Sequence, residues 1–268
     1  MRTSPTTFNK WNLKSTLPGD SVNAKYFGDA KDLFKYDLIT TVMKGLRERD
    51  LDRITIIPML TKYNPDFKGN PGCRNTNLIA CFRRLRMTEE VDHYYDELKG
   101  YLKELKDDLR TEKVRVRIEK KDLFSQETRE RYFAGILSDF PENSLVFVDP
   151  DVGVRASQVT EKHLSSAELL DLYNHLDNNS VLMVSQHYRR RKEGPSVPEK
   201  KSREIQDLTG MNPLIIADTG IMFLFLVKDE DLRETLSAIL RNYARVEQAA
   251  ARKKNAERFI EVTDLGRP

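Results

Sequence analysis

Unbroken apolar runs alternate with amphipathic stretches along most of the chain. "RITIIPML" (residues 53–60), "LVFV" (145–148), "VLMV" (181–184), "LIIA" (214–217) and "IMFLFLV" (221–227) are rich in apolar residues with almost no polar interruption. A strand covered on both faces is written in this way, as in a parallel sheet with helices above and below. The segments between them carry a helical period. From Asp29 onward Phe34, Leu38, Ile39, Val42, Met43 and Leu46 recur at three- and four-residue spacing, predicting a helix that ends near Arg49. Further helices are expected at about 127–138, at about 166–176, capped by Ser165 or Ser166 with Glu168 close behind, and at about 230–257. Around residues 113–118 Val114, Val116 and Ile118 alternate with Lys113, Arg115 and Arg117, the period of a strand with one wet face at an edge.

Strands separated by helices indicate an α/β fold with a three-layer, mostly parallel sheet. The last two strands, joined at Thr219-Gly220, form an antiparallel hairpin at its end. Residues 1–24 are polar and irregular, with Trp11 as the one anchor, and are expected as an arm. Residues 25–268 are then one domain, with a charged helical insertion at about 75–109.

Composition narrows the setting. The chain has 268 residues, 39% of them hydrophobic, enough for a real core. Its 45 Lys and Arg nearly cancel 42 Asp and Glu, so any signal for nucleic acid must be local. Cys73 and Cys81 have neither zinc nor redox-pair spacing, and no apolar run nears the roughly 20 residues of a membrane span. A cytoplasmic protein with no membrane partner is expected.

Chemistry concentrates where strands end. "SLVFVDPDVGVR" (144–155) sets Asp149 and Asp151 two residues apart after an apolar strand, and ligand crevices in open α/β sheets lie beyond carboxyl strand ends. Two such carboxylates would share a divalent metal, magnesium or manganese, or accept an amino proton. Asp-Pro-Asp before Gly153 is also ordinary turn chemistry. Gln186 and His187 end the strand expected beside this one, where His187 would carry protons near neutral pH. Asp29 and Asp32 suit a helix N-terminus, and Lys35 is either Asp32's partner or a holder of an anionic ligand. Asp122 and Asp218 are weaker rim candidates. The segment 189–203, with Arg189, Arg190, Arg191, Lys192, Lys200, Lys201 and Arg203, would be a basic loop flanking the crevice and gripping nucleic-acid phosphate. Arg252, Lys253 and Lys254 mark a terminal helix that would serve a homodimer.

"LVFVDPDVG" with "YFGDAKDLFKYDLI" resembles the class I S-adenosylmethionine-dependent methyltransferases of Rossmann-like fold. Asp-Pro-Asp stands where their amino-group methylating members carry Asp-Pro-Pro-Tyr after the fourth strand. The early segment is similar to the opening helix of the ribosomal-RNA adenine-N6 methyltransferases of the J type. These enzymes finish on an antiparallel hairpin, as this chain is expected to. The resemblance implies a nucleic-acid-modifying enzyme with Asp149, Asp151 and His187 catalytic, Asp29, Asp32, Lys35 and Asp122 at S-adenosylmethionine, and Gln186 with Arg189, Arg190 and Arg191 at the substrate. Gly-Asp-x-x-Asp-x-x-Lys-Tyr with Asp-Pro-Asp-x-Gly also resembles a set of bacterial and phage proteins, which implies no activity. The chain departs from the methyltransferase pattern at Pro58-Met59-Leu60-Thr61, where no Gly-x-Gly follows, and at Val152, which replaces the base-stacking aromatic. A metal-dependent phosphodiesterase using Asp149 and Asp151, or an inactive nucleic-acid or protein binding module, are the alternatives.

Overall fold

The computed structural model describes residues 30–61, 115–119, 123–188, 196–218, 220–253 and 260–264, and of residues 30–33, 116, 118 and 250–253 the backbone alone. The arm, the helical insertion, Asp29, Asp122 and Arg189 to Arg191 lie outside these residues. So does the Asp32 side chain.

Among the described residues, seven strands form one mixed α/β sheet. β1 (Arg53–Ile57) lies between β2 (Arg115–Ile118) and β3 (Ser144–Val148), and β3 pairs with β6 (Val181–His187), all in parallel. β8 (Ile221–Leu226) is antiparallel to β6 and to β7 (Leu214–Asp218), and β9 (Glu261–Asp264) is antiparallel to β7 at the far edge. The order β2-β1-β3-β6-β8-β7-β9 leaves only β8 and β9 running against the rest. Among the described residues the arginine-bearing strand β2 stands at the sheet edge, as the alternation predicts. The antiparallel hairpin is also present, with β8 inserted beside β6 and the unforeseen β9 beyond it. A separate parallel pair, β4 (Gly153–Arg155) with β5 (His163–Ser165), follows the Asp-Pro-Asp turn.

Alternate side chains along the strands enter two cores. Ile54, Ile56, Leu145, Phe147, Val181 and Met183 pack with α1 (Ala30–Gly45) and α5 (Glu230–Lys253), for example against Phe34, Leu38, Leu236 and Leu240. Val146, Val148, Leu182 and Val184 pack with α2 (Arg129–Leu137), α3 (Ser166–His175) and α4 (Val197–Thr209), through Phe133, Ile136, Leu169, Leu172 and Ile205. Each fully buried Leu, Ile or Phe contributes about 1.5–3 kcal/mol through removal from water. That is why the runs with no polar interruption become the central strands.

Helix ends follow local chemistry. Ser165 accepts from the Glu168 amide and Glu168 returns a bond to the Ser165 amide, the capping box expected for α3. α4 corrects the expectation of a basic loop as far as residue 203. Ser196 and Glu199 form a second capping box, Pro198 sits in the first turn, and Gly210 closes the helix at φ 74°. Lys200, Lys201 and Arg203 therefore stand on a helix. α1 stops at Gly45, with a 3₁₀ turn over Arg47–Arg49 completing the segment foreseen to Arg49.

Candidate functional site

The chain passes from β1 outward to β2, returns across β1 to β3, and continues to β6. Strand order thus reverses between β1 and β3, and ligands of open α/β sheets bind outside the carboxyl ends at such a point. Asp149 is the first residue beyond β3 there. Its amide still donates to the Ile57 carbonyl at 2.9 Å, so the carboxylate is aimed by the sheet rather than by a loop.

Strand alternation puts Asp149 on the same side as Leu145 and Phe147, toward α1. Lys35 reaches it from that helix. Lys35 Nζ donates to Asp149 Oδ2 at 2.5 Å, with 8% and 9% of the two side chains exposed. Ser185 Oγ donates to Asp149 Oδ1 at 2.7 Å. The ammonium also lies 5.6 Å from the Phe147 ring centroid and 5.9 Å from that of Tyr36, distances at which aromatic faces attract a cation. Removing two charges from water is costly, and such a pair persists because hydrogen bonds complete it. The result is a carboxylate held in one orientation at the strand-order reversal.

Ser185 escaped the sequence reading. Parallel pairing of Leu145 with Val181 and Val148 with Val184 makes Ser185 the next cross-strand neighbour of Asp149. A lone serine closing "VLMVS" was its only mark. His187 follows Ser185 by two residues and shares its face by alternation. Asp151, also expected at the centre, is buried in the turn at 6% exposure.

Gln186 points to the opposite face. Its Nε2 donates to the Val152 and His187 carbonyls, each at 3.0 Å, and its Oε1 accepts from the Val154 amide at 2.9 Å. Both amide hydrogens are thus committed to backbone, not held out toward a substrate. Gly153 adopts φ 121°, and a Cβ there would collide with the Gln186 amide. Glycine at this position answers both to the backbone angle and to the side chain packed on it.

The carboxyl end of β1 carries its own outlier. Met59, buried, has φ 42°, a left-handed conformation uncommon for a residue with a Cβ. It lies in the Pro58-Met59-Leu60-Thr61 stretch, where the sequence has no Gly-x-Gly. Its amide donates to Tyr132 Oη at 3.4 Å, which ties this turn to α2.

A second polar cluster surrounds β5. Arg129 clasps Glu168 through Nε at 2.5 Å and Nη2 at 2.9 Å, and donates to the Thr160 and His163 carbonyls. His163, 6% exposed, has its protonation held below the ordinary histidine range by burial first, then by the positive charges of Arg155, Arg129 and Lys162, against a smaller opposing pull from Glu161.

Among the described residues no three His, Cys, Asp or Glu side chains come together in a way that could hold a metal ion. The Asp149 carboxylate instead carries an ammonium and a hydroxyl, a set that does not fit a divalent cation. No described helix is long and apolar enough to cross a membrane. Comparison of the chain with protein-family models, curated proteins and solved structures gives no match.

Proposed function

We propose that this chain is a nucleic-acid-modifying enzyme of three-layer, Rossmann-like architecture, centred on Asp149, with S-adenosylmethionine as its methyl donor. The observation that carries the reading is the buried Lys35–Asp149–Ser185 network at the point where strand order reverses. The antiparallel hairpin with β8 beside β6 adds to it, since the methyltransferases that the sequence resembles end in this way. S-adenosylmethionine would supply an activated methyl group.

The chain's own residues do the rest. Lys35 and Ser185 each occupy one oxygen of Asp149 and fix the carboxylate plane. A carboxylate has about four acceptor positions, so the same group would still accept a hydrogen bond from a substrate amino group. His187, on the same face, would relay a proton near neutral pH. The turn at Met59 would face the cofactor, where a left-handed residue replaces the missing glycine.

The test is calorimetry of the full chain with S-adenosylmethionine, beside an Asp149→Asn variant first shown to be folded by circular dichroism. Micromolar binding that the substitution weakens, with tritiated methyl transfer to RNA or DNA, is the expected outcome. No heat with the cofactor rules the methyl-transfer reading out. Asp149-dependent heat with magnesium or manganese alone would replace it with metal-dependent phosphodiester chemistry.

A further inference from the structure

We propose that Tyr132 is a positioning residue: its hydroxyl holds the turn after β1 in the left-handed form that meets a ligand at the strand-order reversal. The role rests on the methyl-transfer reading above, in which S-adenosylmethionine lies beyond the carboxyl ends of β1 and β3. Met59 stands two residues past Ile57, the last residue of β1, and the Ile57 carbonyl accepts from the Asp149 amide. The turn and the carboxylate therefore leave adjacent strands side by side.

The turn is strained, and its surroundings hold the strain in place. At φ 42° a side chain crowds its own backbone, and such a conformation persists only where neighbouring contacts impose it. The Met59 side chain is buried in the core on the α2 and α3 side of the sheet. The Leu60 carbonyl accepts from the Phe124 amide at 2.7 Å. The Met59 amide donates to Tyr132 Oη at 3.4 Å. A flip of the peptide between Pro58 and Met59, the motion that would relieve the strain, turns this amide away from the hydroxyl and leaves a buried donor to find another acceptor.

Tyr132 is itself fixed. Its buried ring meets Phe124 at 5.0 Å and Phe133 at 5.4 Å between centroids, both edge to face. The hydroxyl thus keeps one place relative to α2, and α2 sets the form of a turn 73 residues away in sequence. Without the hydroxyl the turn is divided between forms, and a ligand that needs one of them binds more weakly in proportion to the fraction lost.

Tyr132→Phe removes the oxygen and keeps the packed ring. Amide hydrogen exchange by NMR and calorimetry with S-adenosylmethionine are run on the full chain, wild type and variant. The expected result is faster exchange at the Met59 amide, by a larger factor than at the core amides of β3, and an affinity lower by about fivefold, as for one neutral hydrogen bond. A purely structural hydroxyl would quicken both sets of amides alike and leave the affinity of the folded protein unchanged, which would overturn the proposal. Met59→Gly supplies the second arm, because glycine takes the left-handed form unaided. Made in that background, and shown to be folded by circular dichroism, Tyr132→Phe should weaken binding little; an equal loss in both backgrounds also overturns the proposal. Should Met59→Gly not fold, exchange and affinity in Tyr132→Phe alone decide. Failure of the methyl-transfer reading is a different result, the absence of cofactor heat in wild type, and it removes the ligand that this turn would meet.

Discussion

The ion pairs Arg129–Glu168 and Lys35–Asp149, the first partly and the second fully buried, hold this molecule together in different ways. Arg129 and Glu168 are saturated by their surroundings: the guanidinium fork takes both carboxylate oxygens and two carbonyls, and Glu168 also closes the capping box of α3. Lys35 and Asp149 join residues 114 positions apart through one short contact, at the carboxyl end of a parallel strand. The first pair binds local segments that already adjoin. The second fixes α1 over the sheet and sets a charge at the strand-order reversal, the kind of point beyond which ligands of open sheets bind. Both pairs are shielded from solvent, but of the two only the second stands where a ligand of an open sheet would lie.

The largest effect expected is from breaking the second pair. Asp149→Ala takes the hydrogen-bonded carboxylate from the buried Lys35 ammonium, and should lower stability by about 3–5 kcal/mol in urea denaturation. The double replacement Lys35→Met with Asp149→Leu should recover most of this, since apolar residues of like volume can replace a buried pair. On the proposed function, S-adenosylmethionine binding should remain lost in the recovered protein. If the double variant both refolds and binds S-adenosylmethionine, the pair is scaffold and the contrast with Arg129–Glu168 collapses.

Arg129→Ala comes next. It removes the cation beside Glu168, which keeps the Ser165 amide, and one donor each from the Thr160 and His163 carbonyls, at a cost of about 2–4 kcal/mol, with several charge-assisted bonds lost at once. Ligand binding at Asp149 should not change, as calorimetry would show. Gln186→Ala should cost about 1–3 kcal/mol by taking the acceptor from the Val154 amide and one of the two donors from the Val152 carbonyl, which keeps the His187 amide. Faster hydrogen exchange at the Val154 amide is the specific readout.

The smallest effect is on pH dependence. His163 has a folded pKa below its ordinary 6.5, so the unfolded chain binds the extra proton more readily. The contribution is complete above pH 6.5 and is lost as pH falls through the lowered value. Wild type should therefore lose stability relative to His163→Gln on acidification below pH 6.5, in melts compared at matched ionic strength.

Much of the architecture was legible from pattern alone, for physical reasons that differ by element. β3 and β6 are central strands buried on both faces, so their runs at 145–148 and 181–184 had to be apolar. β9 and α4 were not legible. β9 has four residues and buries one of them, Thr263, so it is a strand only because β7 offers an open edge. α4 buries only Pro198, Ser202 and Ile205, and its charged remainder reads as a loop until the cap residues Ser196, Glu199 and Gly210 are weighed.

The same division runs through the site. Asp149 was found because a carboxylate closing an apolar strand is conspicuous in one dimension. Lys35 was noticed in the sequence, but Asp32 was the only partner within its reach along a helix. Its bond to Asp149 depends on α1 docking over β3. Ser185 depends on the parallel register that aligns Val148 with Val184. Gln186 depends on the turn after Asp151 folding back beneath its amide. By itself the sequence determined the apolar strands, their helices, and the acidic turn, because periodicity and burial act along the chain. Tertiary structure alone decided which charges meet, because a 2.5 Å contact between residues 114 apart is a property of packed elements and leaves no periodic trace.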